Sequence, residues 1–157
     1  MRSKFIFALL ILALASLACG FNIDLPKVPT PGPLVTEEIT VPVPGAEGTR
    51  LKLSFGAGDL TLSPGAESNL VEGRASYNYD QFKPSVETDG NDVTIKMGNV
   101  EINGFPTFKD LKNEWDFKLG SDPIELVIEA GAYNGTYEFG GLALTDLSIT
   151  DGAADVE

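Results

Sequence analysis

The sequence contains no histidine and a single cysteine, Cys19. Without histidine, Ser-His-Asp and Cys-His catalysis are excluded, and so is the commonest zinc ligand. Without a second cysteine there is no intramolecular disulfide, so stability has to come from a packed core. Basic residues are scarce too, with 11 Lys and Arg against 23 Asp and Glu. An acidic surface of this kind repels phosphate backbones and anionic head groups, which argues against nucleic acid as a partner. Neither GxGxxG nor GxxxxGK[ST] occurs, so Gly56-Ala57-Gly58 reads as a chain corner between strands and not as a phosphate loop. No cofactor is implied.

What the sequence does have begins at the amino terminus. Arg2 and Lys4 form a positive start, Phe5 to Leu17 is an almost unbroken apolar run, and Ser16-Leu17-Ala18-Cys19 ends it with small residues. The run is shorter than the roughly 20 apolar residues of a membrane span. Residues 1–18 therefore read as a cleaved signal peptide and the protein as exported. The tetrapeptide resembles the lipobox of bacterial lipoproteins, which implies that Cys19 carries lipid and anchors the chain on the extracytoplasmic face of a membrane. Two or more acyl chains would make that anchor stable. Removing Arg2 and Lys4 leaves nine basic residues against 23 acidic ones, a net charge of −14 over 139 residues.

Residues 19–48 read as a spacer. Six prolines between Pro26 and Pro44, with Gly32, Gly45 and Gly48 among them, favour extended chain and remove backbone donors. Within this stretch Glu37 to Val43 alternates well enough for an edge strand, and Pro42 would keep it out of a sheet centre.

From Thr49 to Glu157 the dominant period is two. Leu51, Leu53 and Phe55 alternate with Arg50, Lys52 and Ser54; Leu60 and Leu62 follow across a Gly-Asp break; Ile124, Leu126 and Ile128 alternate with Glu125 and Glu129. Residues 86–95 place Asp89-Gly90 between alternating apolar residues, a strong hairpin signal. One segment, Thr107 to Trp115, offers a weak helical alternative, with Thr107 and Asp110 as a capping box.

An internal repeat carries the most information. Leu51 to Asp59, Leu126 to Asn134 and Leu147 to Asp155 all read Leu-x-(Leu/Ile)-x-x-Gly-Ala-x-(Asp/Asn). Two inward side chains build a short strand, glycine would allow a positive φ at a corner, and the acid or amide would close the turn on its own backbone. The last two copies begin 21 residues apart, about one coil of a β-solenoid, whose rungs bury their apolar face only by stacking. The expected fold is all-β, a β-solenoid or single-stranded β-helix-like domain over 49–157.

The blocks 51–64 (LKLSFGAGDLTLSP), 115–119 (WDFKL) and 123–155 resemble the bacterial toast-rack domains, β-helical domains of unknown function similar to the C-terminal domain of LiaF-like proteins. Structural glycines and alternating apolar residues carry the resemblance. It therefore implies a fold and no catalytic or ligand residue. Members of that family run on through further strands, so a truncated C-terminus is expected.

Carboxylates and rings are the remaining candidates. Asp80, Asp89, Asp92, Asp110, Glu114 and Asp116 could in principle supply a general acid and base, but they fall mostly in polar turns. Asp89, Asn91 and Asp92 offer oxygens to a divalent cation without the EF-hand spacing. Among the ten aromatics from Tyr77 to Phe139, Trp115 with Phe117 and Tyr137 with Phe139 have core spacing, whereas Phe105 and Phe108 flank Pro106 in a loop and are the candidate ligand surface. Asn134-Gly135-Thr136 reads as a turn. The functional expectation is a non-catalytic structural, adhesive or sensing module, with an envelope protein or polysaccharide as partner. The alternatives are a carbohydrate-active enzyme using paired carboxylates, or an adhesin stabilised by a divalent cation.

Overall fold

The computed structural model describes residues 31–45, 48–98 and 110–157; Cys19, Phe105 and Phe108 lie outside them. The described residues form eight strands: β1 (Val35–Pro42), β2 (Thr49–Pro64), β3 (Asn69–Tyr77), β4 (Pro84–Asp89), β5 (Asp92–Met97), β6 (Asn113–Leu119), β7 (Ile124–Tyr137) and β8 (Leu144–Val156). A 3-10 turn spans Asp80–Phe82.

β2 is the hinge of the architecture. It is 16 residues long and runs through the Gly-Ala corner, so each of its halves finds a different neighbour on one side. Residues 50–54 pair in parallel with β5, which turns back onto β4, while residues 59–64 pair in parallel with β6, which continues to β3 and β1. On its other side β2 is covered along nearly its whole length by β7, and β7 in turn by β8, both in parallel register. The result is a β-solenoid-like stack of bent rungs whose two arms splay into separate sheet wings. Leu51, Leu53, Leu60 and Leu62 from β2 meet Val93, Ile95, Trp115, Phe117, Leu126 and Ile128 in one core between the arms.

The three copies of the repeat are the three rungs. Leu51 stands opposite Leu126 and Leu126 opposite Leu147; Ala57, Ala132 and Ala153 align likewise, as do Asp59, Asn134 and Asp155. The glycine of each copy serves a different purpose from the one its turn chemistry suggests. Gly56, Gly131 and Gly152 all keep ordinary φ. Gly131 and Gly152 are set closely against a neighbouring backbone, where a Cβ would lie 2.2 Å from the Gly56 carbonyl oxygen and 3.0 Å from the Gly131 oxygen respectively, whereas Gly56 faces the end of the Met97 side chain. The acid or amide also works across rungs, with Asn134 Nδ2 donating to Asp59 Oδ1 at 2.8 Å.

The hairpin forms where expected. β4 and β5 pair up to Asp89 opposite Asp92, and Gly90 takes φ +59° in the two-residue connection. Two local expectations are corrected. Asn134-Gly135-Thr136 lies inside β7, because Gly135 is an inward position pressed against the rings of Tyr133 and Tyr137. The helical option cannot extend to Trp115, since Asn113, Trp115, Phe117 and Leu119 are buried at alternate positions of a strand. The edge strand expected over Glu37 to Val43 forms as β1 within the proline-rich stretch, and its ladder shifts at Val41/Pro42.

Candidate functional site

Just past the glycine column, the corner opens into a cleft of about 550 Å³. Its floor is the stacked Ala57, Ala132 and Ala153, small enough to leave room above three adjacent rungs, and one wall is the row Asp59, Asn134 and Asp155. Tyr133, Phe82, Leu111 and Asn113 close the other sides. The alternation that builds β6 also places Asn113 inward with Trp115 and Phe117, where an amide is out of pattern. Asn113 is 3% exposed, and its Nδ2 donates to the Ala57 carbonyl at 2.7 Å while lying 3.1 Å from Met97 Sδ. Its Oδ1 has no partner among the described residues, nor has Trp115 Nε1.

Tyr133 is buried and carries the aromatic side of the cleft. It meets Phe55 edge-on, with ring centroids 6.3 Å apart, and accepts a hydrogen bond from Tyr137 OH at 3.0 Å. Burial, and then that hydrogen bond, hold the Tyr137 phenol far above its usual range, so it stays a donor at any physiological pH.

The cleft is mainly apolar, and the polar groups on its wall are mostly acceptor oxygens, which suits a ligand that donates hydrogen bonds along one side. An acid–base pair is not assembled in it. Asp59 and Asp155 are two strand spacings apart, about 10 Å between backbones, and Asn134 stands between them with its amide on Asp59. Neither acid is buried.

The carboxylates singled out from the sequence are scattered. Asp80, Asp89, Asp92 and Asp110 are exposed at separate places. Asp89 and Asp92 do face each other across the hairpin. Glu114 and Asp116 share the outer face of β6, where Lys112 takes one at 3.0 Å and Arg74 the other at 3.2 Å. No group of three or more acids among the described residues is placed to hold a metal. Trp115 and Phe117 are core, as their spacing indicates, and Tyr137 and Phe139 pack partly buried against it. Asn113 and Tyr133 were legible only as members of an alternating pattern. The outward signal for the cleft was the repeat, whose alanines and acids turn out to line it.

Stacked rungs of this kind define a β-solenoid-like module. The chain belongs to the toast-rack family: the model of the N-terminal domain of toast_rack, DUF2154, matches residues 30–157. Among solved structures it is similar to a candidate cell adhesion protein from Clostridium sporogenes, at 25% identity and TM-score 0.69, over 78% of this chain and 59% of that one. Looser likenesses, which carry no argument, are a candidate adhesin (15% identity, TM-score 0.43, 80% of this chain and 56% of that one) and a candidate lipid binding protein (13%, 0.40, 80% and 60%), both from Parabacteroides distasonis. The chain spans less than two thirds of each of these proteins. A comparison with curated proteins finds no match. No helix among the described residues is long and apolar enough to cross a membrane.

Proposed function

We propose that this protein is a bacterial envelope lipoprotein, anchored through lipid on Cys19, whose toast-rack domain is a non-catalytic adhesive module with the corner cleft as its ligand-holding surface. The likeness to the Clostridium sporogenes candidate adhesion protein carries the adhesive reading. The cleft supports it, because a row of acceptors beside a tyrosine ring suits hydroxyl-rich ligands such as envelope polysaccharide. The anchor rests on Ser16-Leu17-Ala18-Cys19 alone.

Two measurements test the two halves. Cys19→Ala should abolish metabolic lipid labelling and move the protein out of the detergent phase; equal labelling of the variant would remove the anchor. Incubated with cell-wall and plant polysaccharides, the full chain should retain a polysaccharide without shortening it. Turnover that disappears on substituting one Asp or Glu would replace the adhesive reading with the carbohydrate-active enzyme.

A further inference from the structure

The part of the corner cleft nearest β6 is built on β2 and β7, the two rungs with a strand on either side. Between the reaches of β5 and β6, only residues 55–58 of β2 lack a strand on that side among the described residues, and the Ala57 carbonyl there is taken by Asn113. That is too little main chain for a peptide strand to pair with. A ligand here has to be held by shape and by side chains.

Those side chains make an apolar bed with two polar points beside it. Ala57 and Ala132 with the rings of Phe82 and Tyr133 form the bed, which suits the C–H face of a sugar ring. The first polar point is Asp59, an exposed carboxylate bonded to the neutral amide of Asn134. No Lys or Arg among the described residues lines the cleft. Arg50, Lys52, Arg74, Lys83, Lys96 and Lys112 are each already in an ion pair, on a chain of net charge −12. The charge at Asp59 is therefore unopposed and attracts a cation.

The second polar point is Asn113, which lines the cleft at 3% exposure. Its Nδ2 is given to the Ala57 carbonyl, and its Oδ1 is covered without a hydrogen-bond partner among the described residues. A covered acceptor of this kind calls for a donor. Letting one in takes a small side-chain shift, and the unbranched Met97, 3.1 Å from the same amide, is able to make it. Asp59 stands opposite Glu114, so Asn113 is one residue along the adjoining strand, about 5 Å away between backbones, the scale of a single sugar ring.

Building on the reading of the cleft as a ligand-holding surface, we propose that its ligand is a saccharide bearing free amino groups. The ammonium sits at Asp59, the apolar ring face lies on Ala57, Ala132 and Tyr133, and a hydroxyl or N–H of the same ring donates to Asn113 Oδ1.

The probes are fluorescently labelled hexamers of glucosamine, N-acetylglucosamine and galacturonic acid. Each is titrated against the full chain in detergent at low salt, in mildly acidic buffer that keeps the amines charged, with anisotropy as the readout. The glucosamine hexamer should bind saturably, about ten-fold or more tightly than the acetylated one, with the acidic hexamer weakest. Asp59→Asn keeps an acceptor for Asn134 and should weaken glucosamine binding about ten-fold. Asp89→Asn, which removes the same charge at the hairpin tip, should change it little. The side-chain amide signals of Asn113 should shift in NMR spectra as the glucosamine hexamer saturates the protein. Equal affinity for the charged and acetylated hexamers, or equal losses from the two substitutions, would overturn the proposal and leave the wider saccharide reading standing. Asn113 signals that stay in place would overturn it as well. So would a lysine hexamer that binds more tightly than the glucosamine hexamer and depends on Asp59 in the same way, since the cleft would then belong to a basic peptide. If neither the hexamers nor any envelope polysaccharide bound, the reading of the cleft as a ligand-holding surface would itself fall.

Discussion

The second and third rungs share one sequence pattern and occupy different environments. In β7, Leu126 and Ile128 have a rung on either side and are fully buried; in β8, Leu147 and Ile149 stand at the same registers and are about two-fifths exposed. Local pattern thus sets the conformation of each rung, while the presence of a neighbour decides what its apolar residues contribute. In a stacked architecture stability is close to a sum of rung and interface contributions, so one motif can be a core element in one copy and an edge in the next.

The sharpest way to break this comparison is to truncate the same leucine in both rungs. Leu126→Ala should cost about 2–5 kcal/mol, the range for emptying a packed site. Leu147→Ala should cost under about 1 kcal/mol, as for substitutions away from packed sites. Denaturant melts of the two variants measure the gap. Equal losses would mean that β8 is covered in solution, and the contrast between the rungs would fall.

A smaller effect is expected in the glycine column. Gly131 lies between two stacked backbones, and its added Cβ would press on the Gly56 carbonyl, which cannot move without shifting β2. Gly131→Ala should therefore cost about 1–3 kcal/mol, as overpacking does. Gly152→Ala meets backbone on one side only, at 3.0 Å, and should cost less; Gly140→Ala, with nothing within 4 Å, serves as the control. If Gly152→Ala proved as damaging as Gly131→Ala in thermal melts, a further backbone would have to lie against it.

Much of the stack was legible because its determinants are local and periodic. Alternation at Leu51-Leu53-Phe55 and Ile124-Leu126-Ile128 revealed strands, Asp89-Gly90 revealed the hairpin, and the repeat identified the residues that end up opposite one another. The splitting of β2 between β5 and β6 was not legible, since it depends on which distant strand reaches each half. The purpose of Gly131 and Gly152 was misread for a related reason. A glycine required by its own torsion angle and one required by a neighbour's backbone look alike in sequence. Asn113 was hidden by type, because an amide beside Trp115 resembles a strand end until its burial is known. The candidate ligand surface at Phe105 and Phe108 lies outside the described residues, so the cleft rests on residues that the repeat had marked for turn chemistry.

The opposite end of the sheet sharpens the comparison in a last, smaller way. β1 is an edge strand like β8, yet its inward Ile39 and Val41 are buried, and a polar tie fastens its outer part. Glu37 accepts hydrogen bonds from Lys83 Nζ at 2.8 Å and from Tyr77 OH at 2.9 Å, joining β1 to β3 and to the turn that follows. The Lys83 bond first, and the Tyr77 bond second, hold the Glu37 carboxyl below its usual range. A carboxylate whose folded pKa is depressed stabilises the fold above its unfolded pKa, near 4.3, and loses that contribution as pH falls through the folded value. Tyr77 has the opposite sign. Burial, then the bond to Glu37, raises its phenol, so its share is present below about pH 10 and is lost as pH rises beyond that. Between pH 6 and 8 neither contribution changes. Glu37→Gln should therefore melt slightly below the parent at neutral pH, and the difference should shrink toward zero in acid, where the parent carboxylate is protonated as well. Melting curves of both proteins from pH 7 down to pH 3 make the check. Curves that stay parallel throughout would show that the charge of Glu37 has no part in holding β1, leaving Ile39 and Val41 to account for the difference between the two edges.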